Sequence, residues 1–149
     1  MSKSADALAL KVAQAFFTRE GIAPQLGIVI EEVREGYARL SMVVRPEMLN
    51  GHRTAHGGLI FTLADTAFAY ACNSRNQNAV GQQVSITYLR AGTLGEKLTA
   101  EARETALAGR SGTYHITVRG EDGAVVADLL ALCRLVGGTV IETEPATGE

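Results

Sequence analysis

Cysteine is scarce in this chain, charge is nearly balanced and long apolar runs are missing, and each shortage removes a class of protein. The two cysteines, Cys72 and Cys133, lie far apart in apolar surroundings with no CxxC pair. Buried thiols of a reducing compartment are expected, with a bridge between them left open. A formal net charge of -2, from 14 basic and 16 acidic residues, carries no nucleic-acid footprint. No stretch approaches the roughly 20 apolar residues of a membrane span, and the run from Ala7 to Leu10, cut by Lys11, is too short for a signal peptide. Repeats, linkers and low-complexity blocks are also lacking. What is there is 149 residues with 46% hydrophobic and 20% charged content, an ordinary globular composition of one domain's length. The expectation is one cytoplasmic domain over 1–149.

Taken in order, Ser4 and Asp6 followed by Leu8, Val12, Ala15 and Phe16 predict a helix over about 4–20 that Gly21 ends. Ile28 and Ile30 begin a strand, Glu35-Gly36 is a turn signal, and Ala38, Leu40, Met42 and Val44 alternate with Tyr37, Arg39, Ser41 and Arg45. That pattern predicts a hairpin with one wet face. Pro46 stops it, and a polar loop leads to Ala55. Beyond the central segment come strands around Val84–Tyr88, Leu98–Ala102, Tyr114–Val118 and Val125–Val136, separated by Gly-rich turns. The last is apolar on both parities and is expected to be deeply buried. The tail, from about 139 to 149, is expected to be frayed.

The central segment is different. From Leu59 to Cys72 a helix-length run is apolar on nearly every side, with one charged residue, Asp65, on a small polar stripe with Thr62, Thr66 and Ala69. Such a helix must be buried, and a single meandering antiparallel sheet curled around it is the simplest way to bury it. The fold class is therefore α+β.

The segment His52-Arg53-Thr54-Ala55-His56-Gly57-Gly58, followed by Leu63 through Asn73, resembles the hotdog-fold acyl-CoA thioesterases, particularly the branch that serves phenylacetate degradation. The similarity runs from the strand near Ile28 to Gly137-Gly138. It implies a thioester hydrolase that releases a free acid and coenzyme A, with no cofactor and no metal, and with phenylacetyl-CoA or its ring-hydroxylated forms as substrate. It also implies that the amide matching Gly57 holds the oxyanion and that the carboxylate matching Asp65 is essential, as general base or as nucleophile.

Physical chemistry is consistent with these roles. The first turn of a helix offers unpaired N–H groups and the positive end of the helix dipole, and glycines let a ligand approach that backbone. A mostly apolar helix opens the protonation of Asp65 to tuning. Eight residues of helix separate Gly57 from Asp65 by about 12 Å, too far for both to touch one carbonyl carbon. If both act, the acid comes from a second copy of the helix, so the site is built across a homodimer. The resemblance agrees and adds a homotetramer as a pairing of dimers.

Asn50 and His56 complete the catalytic set, Asn50 orienting substrate or water and His56 holding the loop or contacting the thioester oxygen. Gly58 and Thr66 are assigned to substrate binding, as are Arg53, Arg90 and Arg110, near loop ends where a coenzyme A phosphate can dock. Arg110 is preferred on family grounds. Plainer alternatives stand beside each: a satisfied buried Asp65, a turn-forming Asn50, solvated arginines. A zinc pair at His52 and His56 is set aside because no third ligand is obvious. Rival functions are an acyl-thioester hydratase or dehydratase using His56 with Asp65, and a non-catalytic acyl-CoA binding module.

Overall fold

The computed structural model describes residues 2–144. Helix α1 (Lys3–Arg19) is capped by Ser2, whose hydroxyl accepts the Ala5 N–H, and it stops at Glu20, one residue short of Gly21. A short helix α2 (Ile22–Gln25) follows, then strands β1 (Val29–Arg34) and β2 (Tyr37–Val43). Gly36 makes the turn between them with φ +70, a conformation that side chains rarely tolerate, and its amide donates to the Ser74 hydroxyl. A 3-10 turn at Pro46–Met48 leads through the 49–56 loop to α3 (Gly57–Cys72), and the chain finishes with β3 (Ala79–Tyr88), β4 (Lys97–Ala108), β5 (Ser111–Arg119) and β6 (Val125–Leu135).

The six strands form one antiparallel sheet in the order β1-β2-β4-β5-β6-β3. Strands β1 and β2 form the expected hairpin, and of the last four strands β4, β5 and β6 meander as the turn signals implied. Strand β3 pairs with β6 at the far edge. The segment after it crosses the end of the sheet, where Leu89 N–H donates to Val126 O and Val44 N–H donates to Glu96 O, and so delivers the chain to β4 beside β2. The glycines of 92–95 therefore serve a crossover and not a hairpin.

Helix α3 lies against the inner face of this sheet. Leu63, Ala64, Ala67, Phe68 and Ala71 are buried with Leu40, Met42, Leu98, Ile116 and Leu129, and Phe68 meets Tyr114 edge-on with ring centroids 5.3 Å apart. Helix α1 covers one side through Ala9, Val12 and Ala13.

Four expectations are corrected. The stripe of α3 carrying Gly58 and Asp65 is exposed on this chain, so the helix is not enclosed all round. The second parity of β6 faces outward, leaving Leu130 62% exposed, because α3 covers only one face of the sheet. The outer face of β2 is less wet than its pattern suggests: Tyr37 and Ser41 are buried, Tyr37 beneath the Arg34 guanidinium at 3.8 Å. The tail is docked at its start, where Val140 is buried and Asn76 Oδ1 accepts the N–H groups of Val140 and Ile141. The rest of the expected frayed stretch, 145–149, lies outside the described residues.

Candidate active site

Helix α3 begins at the glycine pair because His56 caps it. The His56 Nδ1 accepts the Gly58 N–H at 2.9 Å, and its carbonyl accepts the N–H groups of Leu59 and Ile60. An Nδ1 that accepts leaves the neutral ring's proton on Nε2. The amide of His56 itself is spent on Met48 O. Among the described residues, the Gly57 N–H is the one amide of this first turn with no acceptor. It sits where the dipole of a 16-residue helix presents its positive end.

That end opens on a cleft of about 350 Å³ lined by Asn50, Thr54, Ala55, Gly57, Ile60 and the strand end Tyr88–Ala91. Asn50 shapes the loop: its Oδ1 accepts the His52 and Thr54 N–H groups, and its amide donates to the Thr54 hydroxyl. The turn-forming reading of Asn50 thus holds, and its place in the cleft wall is compatible with contacting a ligand. Tyr88 donates its hydroxyl to Gly57 O at 2.8 Å. Of the nearby aromatic residues, Tyr70 and Phe68 are buried core and Tyr88 is 48% exposed at the cleft.

Asp65 lies two turns further along α3, outside this cleft. Strand β3 passes over it: a Cβ at Gly81 would stand 3.9 Å from Asp65 Oδ1. The carboxyl touches water along one side, while the packed helix and strand around it raise its pKa above the usual aspartate value by desolvation. Among the described residues it accepts no hydrogen bond and joins no ion pair, so the reading of Asp65 as a satisfied structural group does not hold within one chain.

The predicted ligand contacts divide sharply. Gly58 N–H is consumed by the cap. Thr66 is buried and donates its hydroxyl back to Thr62 O at 2.7 Å, as Thr62 does to Gly58 O, so neither threonine offers a donor to the cleft. Arg90 reaches the cleft, yet it is held by Glu96 at 2.7 Å and Asp122 at 2.8 Å, which raise its pKa while Glu96 is pulled down to about 2. It is a crossover brace and not an unpaired cation. Arg53, exposed at φ +63 in the 49–56 loop, has no ion-pair partner among the described residues. Arg110 sits in the β4–β5 turn, where its carbonyl accepts the Leu135 N–H, beside the C-terminal end of α3 and away from this cleft. A separate recess of about 430 Å³ around Arg34, Tyr37, Arg75 and Glu104 is self-neutralised, since Arg75 bonds both Glu35 and Glu104.

What the arrangement supplies is an open cleft of mixed polar and apolar lining with one N–H that lacks an acceptor, and an unpaired carboxylate on the neighbouring exposed face of the same helix. Comparison with known proteins gives this a family. Residues 52–127 match the thioesterase superfamily. The chain is 41% identical over 128 residues to the acyl-coenzyme A thioesterase PaaI of Escherichia coli, covering 86% of this chain and 91% of that one. The structure of the E. coli PaaI protein from the phenylacetic acid degradation operon superposes with a TM-score of 0.89 at 40% identity, over 90% of this chain and 97% of that one. A Streptococcus mutans protein, smu.793, solved with acetyl CoA, superposes at 0.72 with 28% identity over 75% of this chain and 90% of its own. The chain belongs to the thioesterase superfamily and is a hotdog-fold thioester hydrolase.

Proposed function

We propose that the protein hydrolyses acyl-CoA thioesters, phenylacetyl-CoA or its ring-hydroxylated forms above all, and that the unpaired Gly57 N–H receives the carbonyl oxygen in the transition state. That amide is the observation carrying the reading: a donor at a helix start, without an acceptor and on a residue that lines a cleft, is suited to charge that develops during reaction. Water adds to the thioester carbon, negative charge builds on the oxygen at Gly57, and collapse breaks the carbon–sulfur bond, leaving the free acid and coenzyme A thiol. Asp65 of a second copy takes the proton from water or attacks first as nucleophile; the chemistry needs neither metal nor redox cofactor.

Support for the second copy is geometric. About 12 Å of helix separates Gly57 from Asp65, and the exposed face bearing Asp65 lies beside β3, whose outer edge is unpaired in this chain. An open edge strand is a template for a further strand. Two copies meeting there bring two α3 helices side by side, and pairing of such dimers gives a tetramer. The branch names of the relatives support the aryl-acetyl substrate, while the Ile60, Tyr88 and Leu89 lining supports an apolar acyl group. Arg53 is the cation offered to the coenzyme A phosphates.

The test is thiol release across a panel of aryl and aliphatic acyl-CoAs by wild type and Asp65→Asn, with light scattering for the assembly. Phenylacetyl-CoA is expected to be turned over best, and Asp65→Asn to lose at least about a thousandfold in kcat. Hydration of crotonyl-CoA without thiol release, or an active monomer, would sink the proposal.

A further inference from the structure

The peptide unit joining Gly57 to Gly58 is gripped at both ends. Its carbonyl oxygen accepts the Tyr88 hydroxyl at 2.8 Å, and its N–H donates to His56 Nδ1 at 2.9 Å. Two successive glycines have wide backbone freedom. The Gly57 N–H lies in the preceding peptide plane, whose His56 carbonyl accepts the Leu59 and Ile60 N–H groups, so the freedom left is rotation about Gly57 itself, and the grip on the following peptide limits it. The Tyr88 ring presses on the same residue, since a Cβ at Gly57 would stand 3.1 Å from the ring. Desolvation raises the Tyr88 pKa, which keeps the phenol protonated and able to donate.

We propose that Tyr88 is a positioning residue for thioester hydrolysis, restraining rotation at Gly57 from its C-terminal side so that the Gly57 N–H is held in place at the cleft before substrate arrives. This rests on the reading of that N–H as the oxyanion donor. The gain follows from preorganisation: a donor already aligned costs nothing to reorient when charge develops, whereas a loose glycine pair must be ordered in the transition state. His56 serves the other end of the same peptide. Its cap needs an imidazole nitrogen that accepts, so the two side chains act as one clamp reaching from the 49–56 loop and from β3.

Tyr88→Phe keeps the ring against Gly57 and removes only the hydroxyl. For phenylacetyl-CoA it is expected to lower kcat about tenfold and to leave KM within about twofold, with the thermal unfolding profile retained. Gly57→Pro and Gly57→Ala separate this from the reading beneath it. Proline suits the first position of a helix, and His56, at φ -61 and ψ 129, already has the backbone favoured before proline. Both variants place a Cβ against Tyr88, but only proline deletes the N–H. If Tyr88 acts through that N–H, Tyr88→Phe lowers kcat in the wild type and adds no further loss in Gly57→Pro. An equal loss in both backgrounds, an effect confined to KM, or no effect at all overturns the positioning role. Equal rates for Gly57→Pro and Gly57→Ala overturn the oxyanion reading instead.

Discussion

The two ends of α3 are built on opposite principles. At the C-terminal end buried side chains close much of the bonding: Asn73 donates to the carbonyls of Ala69 and Ala79 and accepts the Ala79 N–H, Ser74 donates to Ala71 O and accepts the Gly36 N–H, and Asn76 fastens Val140 and Ile141. All three side chains are buried. At the N-terminal end the chain uses glycine, leaves one amide without an acceptor and opens a cleft above it. A buried orphan polar group is costly, which fits the bonding of the buried C-terminal end. The N-terminal end, open on the cleft, is the one that the proposed function assigns to the ligand.

Substitutions at the two ends should therefore fail differently. Of substitutions at the two ends, the largest effect is expected at Gly57→Pro, where deletion of one oxyanion donor lowers kcat by about 10²–10³ while the helix start is kept. Gly57→Ala, which retains the N–H and asks Tyr88 to give by a few tenths of an ångström, should lose far less. Initial rates of thiol release, with circular dichroism as the control for folding, measure both. At the other end Asn73→Ala removes the side-chain bonds to both backbone groups of Ala79 in a buried site, while Ala69 O keeps the Asn73 N–H, and is expected to cost about 2–4 kcal/mol of stability. Urea unfolding reads this, and kcat per folded molecule should stay near that of the wild type. A rate loss in Asn73→Ala matching that in Gly57→Pro would erase the distinction between the ends.

Arginine shows the same division on a smaller scale. Arg90 lines the cleft but braces the crossover through Glu96, whose carboxyl it holds down to about 2. A carboxylate with a depressed folded pKa stabilises the protein above its unfolded value, and that stability is lost as pH falls through the folded one. Arg90→Ala is expected to cost about 1 kcal/mol near neutrality and to remove Glu96's share of the acid-side decline between the ordinary glutamate range and pH 2. Arg53→Ala should leave stability alone and raise KM for acyl-CoA about threefold. Paired denaturation and kinetic measurements on the two variants decide which cation serves the fold and which the ligand.

Much of this was legible in the residues and part was not. The alternation in β4 and β5, the apolar run of α3 and its lone carboxylate gave the α+β class and the central helix directly, because period and burial are local. The position of β3 was not legible. Its glycine-bounded neighbourhood looks like any hairpin, and only the crossover bonds of Leu89 and Glu96 carry it to the far edge. Tyr88's partnership with Gly57 hangs on that displacement, since the two are 31 residues apart in sequence. The pairing of Arg90 was hidden for a related reason. Charge type is visible in a sequence, but whether Glu96 and Asp122 already neutralise Arg90 depends on which loops meet.

Asp65 stands between the two ends and belongs to neither scheme, being unpaired like the Gly57 amide and exposed on one side, yet partly desolvated beside β3. Its raised pKa fixes the sign of a final, smaller prediction. A carboxyl that holds its proton more tightly in the folded state makes the fold lose stability as pH rises from the unfolded aspartate value through the folded one, and the loss persists above it. Asp65→Asn removes that term, so at neutral pH the variant should unfold at a higher urea concentration than wild type, with the difference shrinking below the ordinary aspartate range. The catalytic acid limb should mirror it, since a base or nucleophile works only as the carboxylate: kcat/KM is expected to fall with decreasing pH through a midpoint above that of a free aspartate. A variant no more stable than wild type at pH 7, or a limb at or below the ordinary aspartate value, would show that the strain of holding Asp65 unpaired is not the site's cost of function.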